Sequence, residues 1–281
     1  MNNQIQENTQ ITVIKPSDGY SLGNLRQLWE RRELLYFFIW RDIKVRYKQT
    51  VIGIAWVILQ PLFAMLIFTL FFGRLANIPS DGLPYPIFTY TGLLPWLLFA
   101  NGLSKCSDSL VGSVELVKKV YFPRLIIPLS AVLSGLVDLC FTLLVLLFMF
   151  PYFGIAPGTA LVWLPLFILL TCMTCLGIGL WLSALNALYR DVRYVVPFLI
   201  QLWLFASPVV YPSSLLAEPW RSLYGINPMA GVIEGFRWVL LGSKVSIPGP
   251  ILLISAVISV VMFITGLVFF ARIEKKVADV L

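Results

Sequence analysis

Apolar residues fill this chain in long blocks, and the charged residues gather in the intervals between them. The blocks lie at about 51–73, 86–104, 126–150, 161–185, 195–211 and 250–271. A helix needs roughly 20 apolar residues to cross a hydrocarbon core, so the blocks predict an all-α polytopic membrane protein with six transmembrane helices. Pro61 removes one helical hydrogen bond and is expected to kink the first span. Ahead of the spans, Leu22, Leu25, Leu28, Trp29, Leu35, Tyr36, Ile39 and Trp40 recur at helical spacing, with Arg26, Glu30 and Arg31 on other faces and Arg32 interrupting the stripe. This pattern predicts an amphipathic helix over 22–40 lying in the membrane interface. Residues 1–21 are polar without periodicity and are expected to be disordered on the cytoplasmic side, with no apolar run of the signal-peptide kind. The rest, 41–281, reads as one transmembrane domain.

The segment 212–249 breaks the pattern. Its PMAGVIEGFRWVLLG stretch is apolar for only about 14 residues, a length that suits a re-entrant or interfacial helix better than a span. Pro208, Pro212, Pro219 and Pro228 divide the region into short pieces. Charge placement supports leaving it uncounted. With six spans, 17 of the 21 lysines and arginines fall on one side, and only Arg74, Arg221, Arg237 and Lys244 fall on the other. The positive-inside rule then puts both termini in the cytoplasm. A seventh span would carry Arg272, Lys275 and Lys276 outside.

Composition agrees with a lipid solvent: 59% of the 281 residues are hydrophobic and 12% charged, against about 25% charged in soluble domains. The net charge of +7 therefore reports topology rather than nucleic acid. Histidine is absent, which removes the commonest metal ligand and proton shuttle, and no metal site is expected. Cys172 and Cys175 form a CxxC, yet they sit inside TCMTCLGIGL without a second ligand pair and read as small apolar residues. No GxxxxGK[ST], GxSxG or HExxH occurs, so the chain carries no nucleotide or hydrolase motif and reads as a non-enzyme.

Three groups of residues stand out from the apolar background. Asp138 is the clearest acid within a span, and an ionisable group at membrane depth signals a function by default; here a bond to a neighbouring helix is favoured over a proton relay. Trp56, Gln60 and Phe63 share a face of the first span, and Gln201, Trp203, Phe205, Ser207 and Tyr211 lie on the fifth. Rings with a few amides and hydroxyls suit a path for a sugar chain, although the same rings also suit lipid. Arg41, Lys44, Arg46 and Lys48 precede the first span. They fit an electrostatic anchor on anionic lipid and equally a receiving site for an anionic lipid headgroup.

The stretches RDIKVRYKQTVIGIAWVILQPL, KKVYFPRLIIP, ALYRDVRYVVPFLIQLWLFASPVVYP and INPMAGVIEGFRWVLLG resemble, in order and at matching spacing over about 22–272, the membrane subunit of ABC-2 type polysaccharide exporters. That family exports O-antigen, capsule and teichoic acid polymers. The resemblance implies six spans, an N-terminal interface helix and short gating helices on the outer side between spans five and six. It implies a homodimer in a bacterial inner membrane, two copies of a separate ATPase that hold the ATP and Mg, no cofactor in this chain, and a lipid-linked, O-antigen-like substrate. It places a coupling helix at Ser113–Arg124, with Ser113, Glu115, Lys118, Lys119, Tyr121, Phe122 and Arg124 against the ATPase. There Tyr121 and Phe122 would be buried anchors, and the cations would orient the partner. The positive-inside rule alone explains the charges of that loop but not its Tyr-Phe-Pro order. The resemblance also assigns Trp220, Arg221, Asn227, Arg237 and Trp238 to the outer gate. Arg190, Asp191 and Arg193 form either an ion-pair cluster or a second ATPase contact. An ABC-2 exporter of small molecules or lipids shares this fold. A membrane-embedded sugar or acyl transferase would need a catalytic acid or base, and a passive channel would need no coupling loop.

Overall fold

The structure, a computed structural model, describes residues 29–48, 53–120, 122–189, 191–242, 245 and 247–280, with side chains as far as 273. The expectations for 1–21, for the start of the interface helix, and for Tyr121 and Arg190 lie outside these residues. No strand occurs among the described residues. Among the described residues, four helices are long and apolar enough to cross a membrane: Ile54–Leu75, Ile126–Phe153, Thr159–Leu188 and Gly249–Ile273.

Helix α1, Arg32–Lys48, joins the predicted interface helix to the basic segment after it as one continuous element. Phe38, Asp42 and Arg46 recur at every fourth position and face the protein, and Phe38 is buried. Tyr36, Phe37 and Trp40 stay exposed. The buried stripe is therefore displaced from the predicted one, because α1 has two apolar faces and spends one on its own chain.

Helix α2, Ile54–Phe68, continues into a wider π-helical turn over Thr69–Leu75. No break accompanies Pro61, which lies buried inside the helix. The irregularity comes later, where the Ala76 amide reaches back to the Phe71 carbonyl at 2.9 Å. Helix α3, Tyr85–Gly112, runs 28 residues and is buried along most of its length. It extends past the predicted 104 because Lys105 and Asp108 do not end it: Asn186 donates to the Asp108 carboxylate and to the Ser107 carbonyl, each at 3.0 Å. A short helix α4, Val114–Lys119, follows. The third predicted span is two helices, α5, Ile126–Leu133, and α6, Gly135–Phe153.

Helix α7, Leu164–Leu188, packs against α3 on one side and against the last helix, α11, Gly249–Val280, on the other. Small residues permit both crossings, the general device by which membrane helices approach closely. A Cβ on Gly177 would stand 2.6 Å from the Met262 backbone. Across the same interface Thr174 donates to the Ser259 hydroxyl at 2.8 Å. Between α3 and α7, the Cys175 sulfur lies over Gly102 and the Cys106 sulfur over Gly179. Cys172 and Cys175 are free thiols buried in this packing, so the CxxC serves as filling between helices.

Helix α8, Val192–Phe205, is shorter than the predicted fifth span and gives way to turns after residue 205. Helix α9 is a single turn, Trp220–Leu223. Helix α10, Pro228–Leu241, has 14 residues and is buried on all faces. Glycines at 231 and 235 let Ser255 of α11 and Phe167 of α7 pack onto its backbone.

Two clusters mark the two ends of the bundle. At one, Phe38 and Phe122 meet Leu110 near the end of α3, Ile126 at the start of α5, Ala187 at the end of α7 and Phe270 far along α11. At the other, Phe88 early in α3 lies against Arg237 of α10, and Ser255 early in α11 bonds the Gly225 carbonyl. Helices α3, α7 and α11 thus run in the same sense, from the Arg237 end to the Phe122 end.

Candidate coupling, bracing and translocation surfaces

The loop that carries the basic-aromatic knot divides its residues between two tasks. Helix α4 stands out from the bundle: Glu115, Leu116, Lys118, Lys119 and Val120 are exposed, and Lys119 pairs with Glu115 at 2.8 Å. An i, i+4 pair this exposed adds little stability, so both charges remain available to a partner. Ser113, buried where α3 ends, accepts the amides of Leu116 and Val117 through its carbonyl. Phe122 is only 6% exposed and lies 5.5 Å from the Phe38 ring. The structure corrects the expectation that Phe122 anchors a partner: a ring at the mouth of an apolar cluster gains more from filling it than from facing water. Phe122 pins the base of α4, and the protruding apolar side chains are Leu116 and Val120. Arg124 is half-buried beside it.

Helix α1 is fastened beside this loop. Arg41 pairs with Asp42 at 2.8 Å, and its guanidinium stands 4.5 Å over the Phe38 ring. Asp42 accepts from the Ser130 hydroxyl of α5 at 3.2 Å. Arg46 forms a salt bridge with Asp138 of α6 and donates to the Ser134 hydroxyl at 3.4 Å. Tyr47 donates its phenol to the same Asp138 carboxylate at 2.5 Å. Burial, then the hydrogen bond to Asp138, push the Tyr47 phenol up to about 12, so it stays a donor. One expectation is kept and one changes. Asp138 lies in the first turn of α6 and holds a cation and a phenol, which is the bonding role rather than a relay. Of the four basic residues proposed for a lipid headgroup, Arg41 and Arg46 are committed inside the chain, and only Lys44 and Lys48 are exposed.

The opposite end carries a buried brace. Arg237 is 1% exposed. It donates to Glu234 at 3.2 Å, to the Val209 carbonyl at 2.7 Å and to the Phe88 carbonyl at 3.4 Å, and lies 3.7 Å over the Phe88 ring. Glu234 also accepts the Ser213 amide at 3.0 Å. One ion pair therefore joins α3, α10 and the 207–213 turns. Asn227 caps α10 by accepting the Met229 amide at 3.1 Å. It also accepts the Trp203 indole N–H and donates to the Ala206 carbonyl and the Ser207 hydroxyl, each at 2.9 Å. Tyr211 and Tyr224 share a 2.8 Å hydrogen bond.

These bonds sort the remaining candidates. Trp203, Ser207 and Tyr211, proposed for the channel, are tied into the brace. Their hydrogen-bonding groups are spent on the chain's own backbone and Asn227, where a sugar would need them free. Trp56, Gln60 and Phe63 on α2, with Gln201 and Phe205 on α8, are exposed. Among the outer-gate residues, Arg237 is interior rather than superficial, and Asn227 and Trp238 are half-buried; Trp220 is exposed and Arg221 half-buried. Of the second basic loop, Asp191 and Arg193 are exposed, between exposed Tyr189 and Tyr194. Sequence reasoning missed Glu234 as the partner of Arg237, although their i, i+3 spacing on one helix was a usable signal. No group of three or more metal-ligating side chains occurs among the described residues.

Long apolar helices around a buried, hydrogen-bonded brace, with a charged helix projecting from the far end, define a polytopic membrane protein built to hold its shape at one end and offer a contact at the other. A family model described as ABC-2 type transporter matches residues 33–241, and the chain belongs to that family. It is 29% identical over 255 residues to the O-antigen export system permease protein RfbA of Myxococcus xanthus, covering 89% of this chain and 96% of that protein. It is 28% identical over 264 residues to the protein of the same name from Klebsiella pneumoniae, covering 93% and 98%. The polysialic acid transport protein KpsM of Escherichia coli is 26% identical over 245 residues, covering 84% and 91%.

Proposed function

We propose that this chain is the transmembrane subunit of an ATP-driven exporter that moves a lipid-linked polysaccharide outward across a bacterial inner membrane. The observation that carries the reading is the exposed helix α4, rooted by Phe122, on a chain that aligns over most of its length with permeases named for O-antigen export. An ABC-2 family member needs an ABC ATPase. Leu116 and Val120 give that partner an apolar contact, and Lys118 and Lys119 give it a charged rim. The parallel run of α3, α7 and α11 supports six crossings, with α10 as a buried insertion on the outer side and both termini in the cytoplasm. The exposed α2 and α8 faces support a homodimer carrying two ATPases, with a polymer path between copies. Lys44 and Lys48 meet the anionic headgroup. ATP and Mg belong to the partner, and this chain supplies no catalytic group.

The test is purification of the tagged chain from native membranes in mild detergent. A P-loop ATPase at equal stoichiometry is expected. The double variant Leu116→Asp, Lys118→Glu is expected to release it while the chain stays inserted. Elution of the chain alone after crosslinking would sink the coupling assignment. Polymer reaching the cell surface undiminished in a strain lacking the chain would sink the polysaccharide assignment, leaving a small-molecule or lipid exporter.

A further inference from the structure

The residues that fasten α1 do more than hold it to the bundle. Two of its attachment points touch different machinery, and between them Asp42 accepts from Ser130 of α5. Phe38 packs on Phe122, the residue that roots the coupling helix. Eight residues later, about 12 Å along the helix at 1.5 Å per residue, Arg46 grips Asp138 on α6. Tyr47 adds a second donor to the same carboxylate. Both points lie in one continuous helix, which is stiff along its axis, and both are strong. The first is an aromatic contact inside an apolar cluster. The second is a charge-assisted hydrogen bond removed in part from water.

Helix α6 in turn is coupled to the rest. The Tyr90 phenol of α3 donates to the Thr142 carbonyl of α6 at 3.0 Å, one turn beyond Asp138, and α2 packs along α6. Nothing about anchoring to lipid requires an arginine to turn inward onto an aspartate ninety-two positions away; lipid anchoring wants that arginine outward. We propose that α1 is a lever between the coupling helix and α6, with Arg46 and Asp138 the positioning pair that makes the transfer stiff. A push on α4 moves Phe122, and Phe122 moves Phe38. The helix carries the displacement to Arg46, and the ion pair delivers it to α6 and through α6 to α2. Without the pair, α4 still receives the stroke, but α1 is then held only by Phe38 and by the Asp42–Ser130 bond to α5, and passes less of it to α6.

This inference rests on the reading of α4 as the ATPase contact, and the experiment separates the two. Arg46→Ala, Asp138→Asn and the exchange Arg46→Asp with Asp138→Arg are each placed in the only copy of the chain in its native cells. Three quantities are read: the ATPase that co-purifies with the chain, basal ATP hydrolysis by that complex, and surface polymer in stained envelope extracts. Each single variant is expected to keep the co-purified ATPase and its basal hydrolysis at wild-type level. Polymer delivered per ATP hydrolysed should fall roughly 5- to 150-fold, the range of an ordinary coupling free energy between sites. The exchange should restore most of it. Phe38→Leu, which breaks the other end of the lever, should lower the same ratio, and combining it with Asp138→Asn should cost no more than the worse single change. Unchanged polymer per ATP in Arg46→Ala would overturn the lever. So would loss of the ATPase or of inserted protein in parallel with export, which is the mark of a purely structural pair. If the wild-type chain brings down no ATPase, the functional reading has failed, and the lever falls with it.

Discussion

Replacing Arg237 with methionine removes the cation from the buried brace while roughly keeping its length. The structure says what is left behind. Glu234 keeps the Ser213 amide but loses its charged partner, and the Val209 and Phe88 carbonyls lose the guanidinium donor. Arg237 is 1% exposed, so water does not enter readily to replace these bonds. Breaking one side of a buried ion pair costs about 3–5 kcal/mol, because the surviving charge is uncompensated. On the scale of domains of 150–250 residues, that is a drop of roughly 6–20 °C in Tm. Removing both charges, with Glu234→Gln added, leaves a neutral amide that still accepts from Ser213. The double variant should therefore be less destabilised than Arg237→Met plus Glu234→Gln summed, by about 0.5–3 kcal/mol of coupling. The assay is thermal unfolding of purified protein in detergent, for wild type, both single variants and the double. Strict additivity, or an Arg237→Met protein within about 0.5 kcal/mol of wild type, would refute the brace.

Other substitutions test the remaining packing and surfaces. Gly177→Val drives a side chain into the Met262 backbone, 2.6 Å from the new Cβ; it is expected to cost at least the 1–3 kcal/mol typical of overpacking and to lower folded yield, measured by monodispersity in detergent. Asn227→Ala removes the cap of α10 and the acceptor for Trp203, so thermal unfolding should show a loss at or above the cap range of about 0.5–2 kcal/mol; Asn227→Asp keeps both acceptor bonds and should fall between. Cys172→Ala with Cys175→Ala should leave surface polymer unchanged and insensitive to dithiothreitol, since both thiols are buried filling; a redox dependence would show that the CxxC has another use.

What the sequence makes legible follows from which forces are local. The long apolar helices can be read because length and hydropathy are properties of a continuous stretch. The 14-residue helix over Pro228–Leu241 can be read for the same reason, and its cap and proline mark its start. The partner of Asp138 cannot be read, because Arg46 and Tyr47 lie on another helix and only the docking of α1 on α5 brings them there. Phe122 was misassigned through the same gap. An aromatic ring in a loop between apolar segments satisfies two rules equally, burial in its own chain or in a partner, and the choice depends on whether Phe38 leaves a hole for it. The eight candidate channel residues divided for a related reason. Spacing places Trp203 and Phe205 on one helix, but only the position of Asn227 shows that the Trp203 indole spends its N–H within the chain while the Phe205 ring stays exposed.

The two ends of the bundle differ in where their polar groups are spent, and the difference constrains how such a protein can move. At the Arg237 end, the ion pair, the Asn227 hydrogen bonds and the two tyrosines tie α3, α8, α10 and the turns between them into one unit. Opening a path through the middle of that unit would break several bonds at once in a medium that offers no replacements. Opening a path beside it breaks none. The faces left free, Trp56, Gln60 and Phe63 on α2 and Gln201 and Phe205 on α8, lie outside the brace. On the proposed function, the braced unit therefore moves as a body, and the polymer passes along its surface against a second copy. On that reading the work enters at α4, where exposed charge and apolar side chains await a partner; α3 leads into α4 through Ser113 and joins it directly to the braced body, while α1 lies alongside, fastened to both the coupling loop and α6.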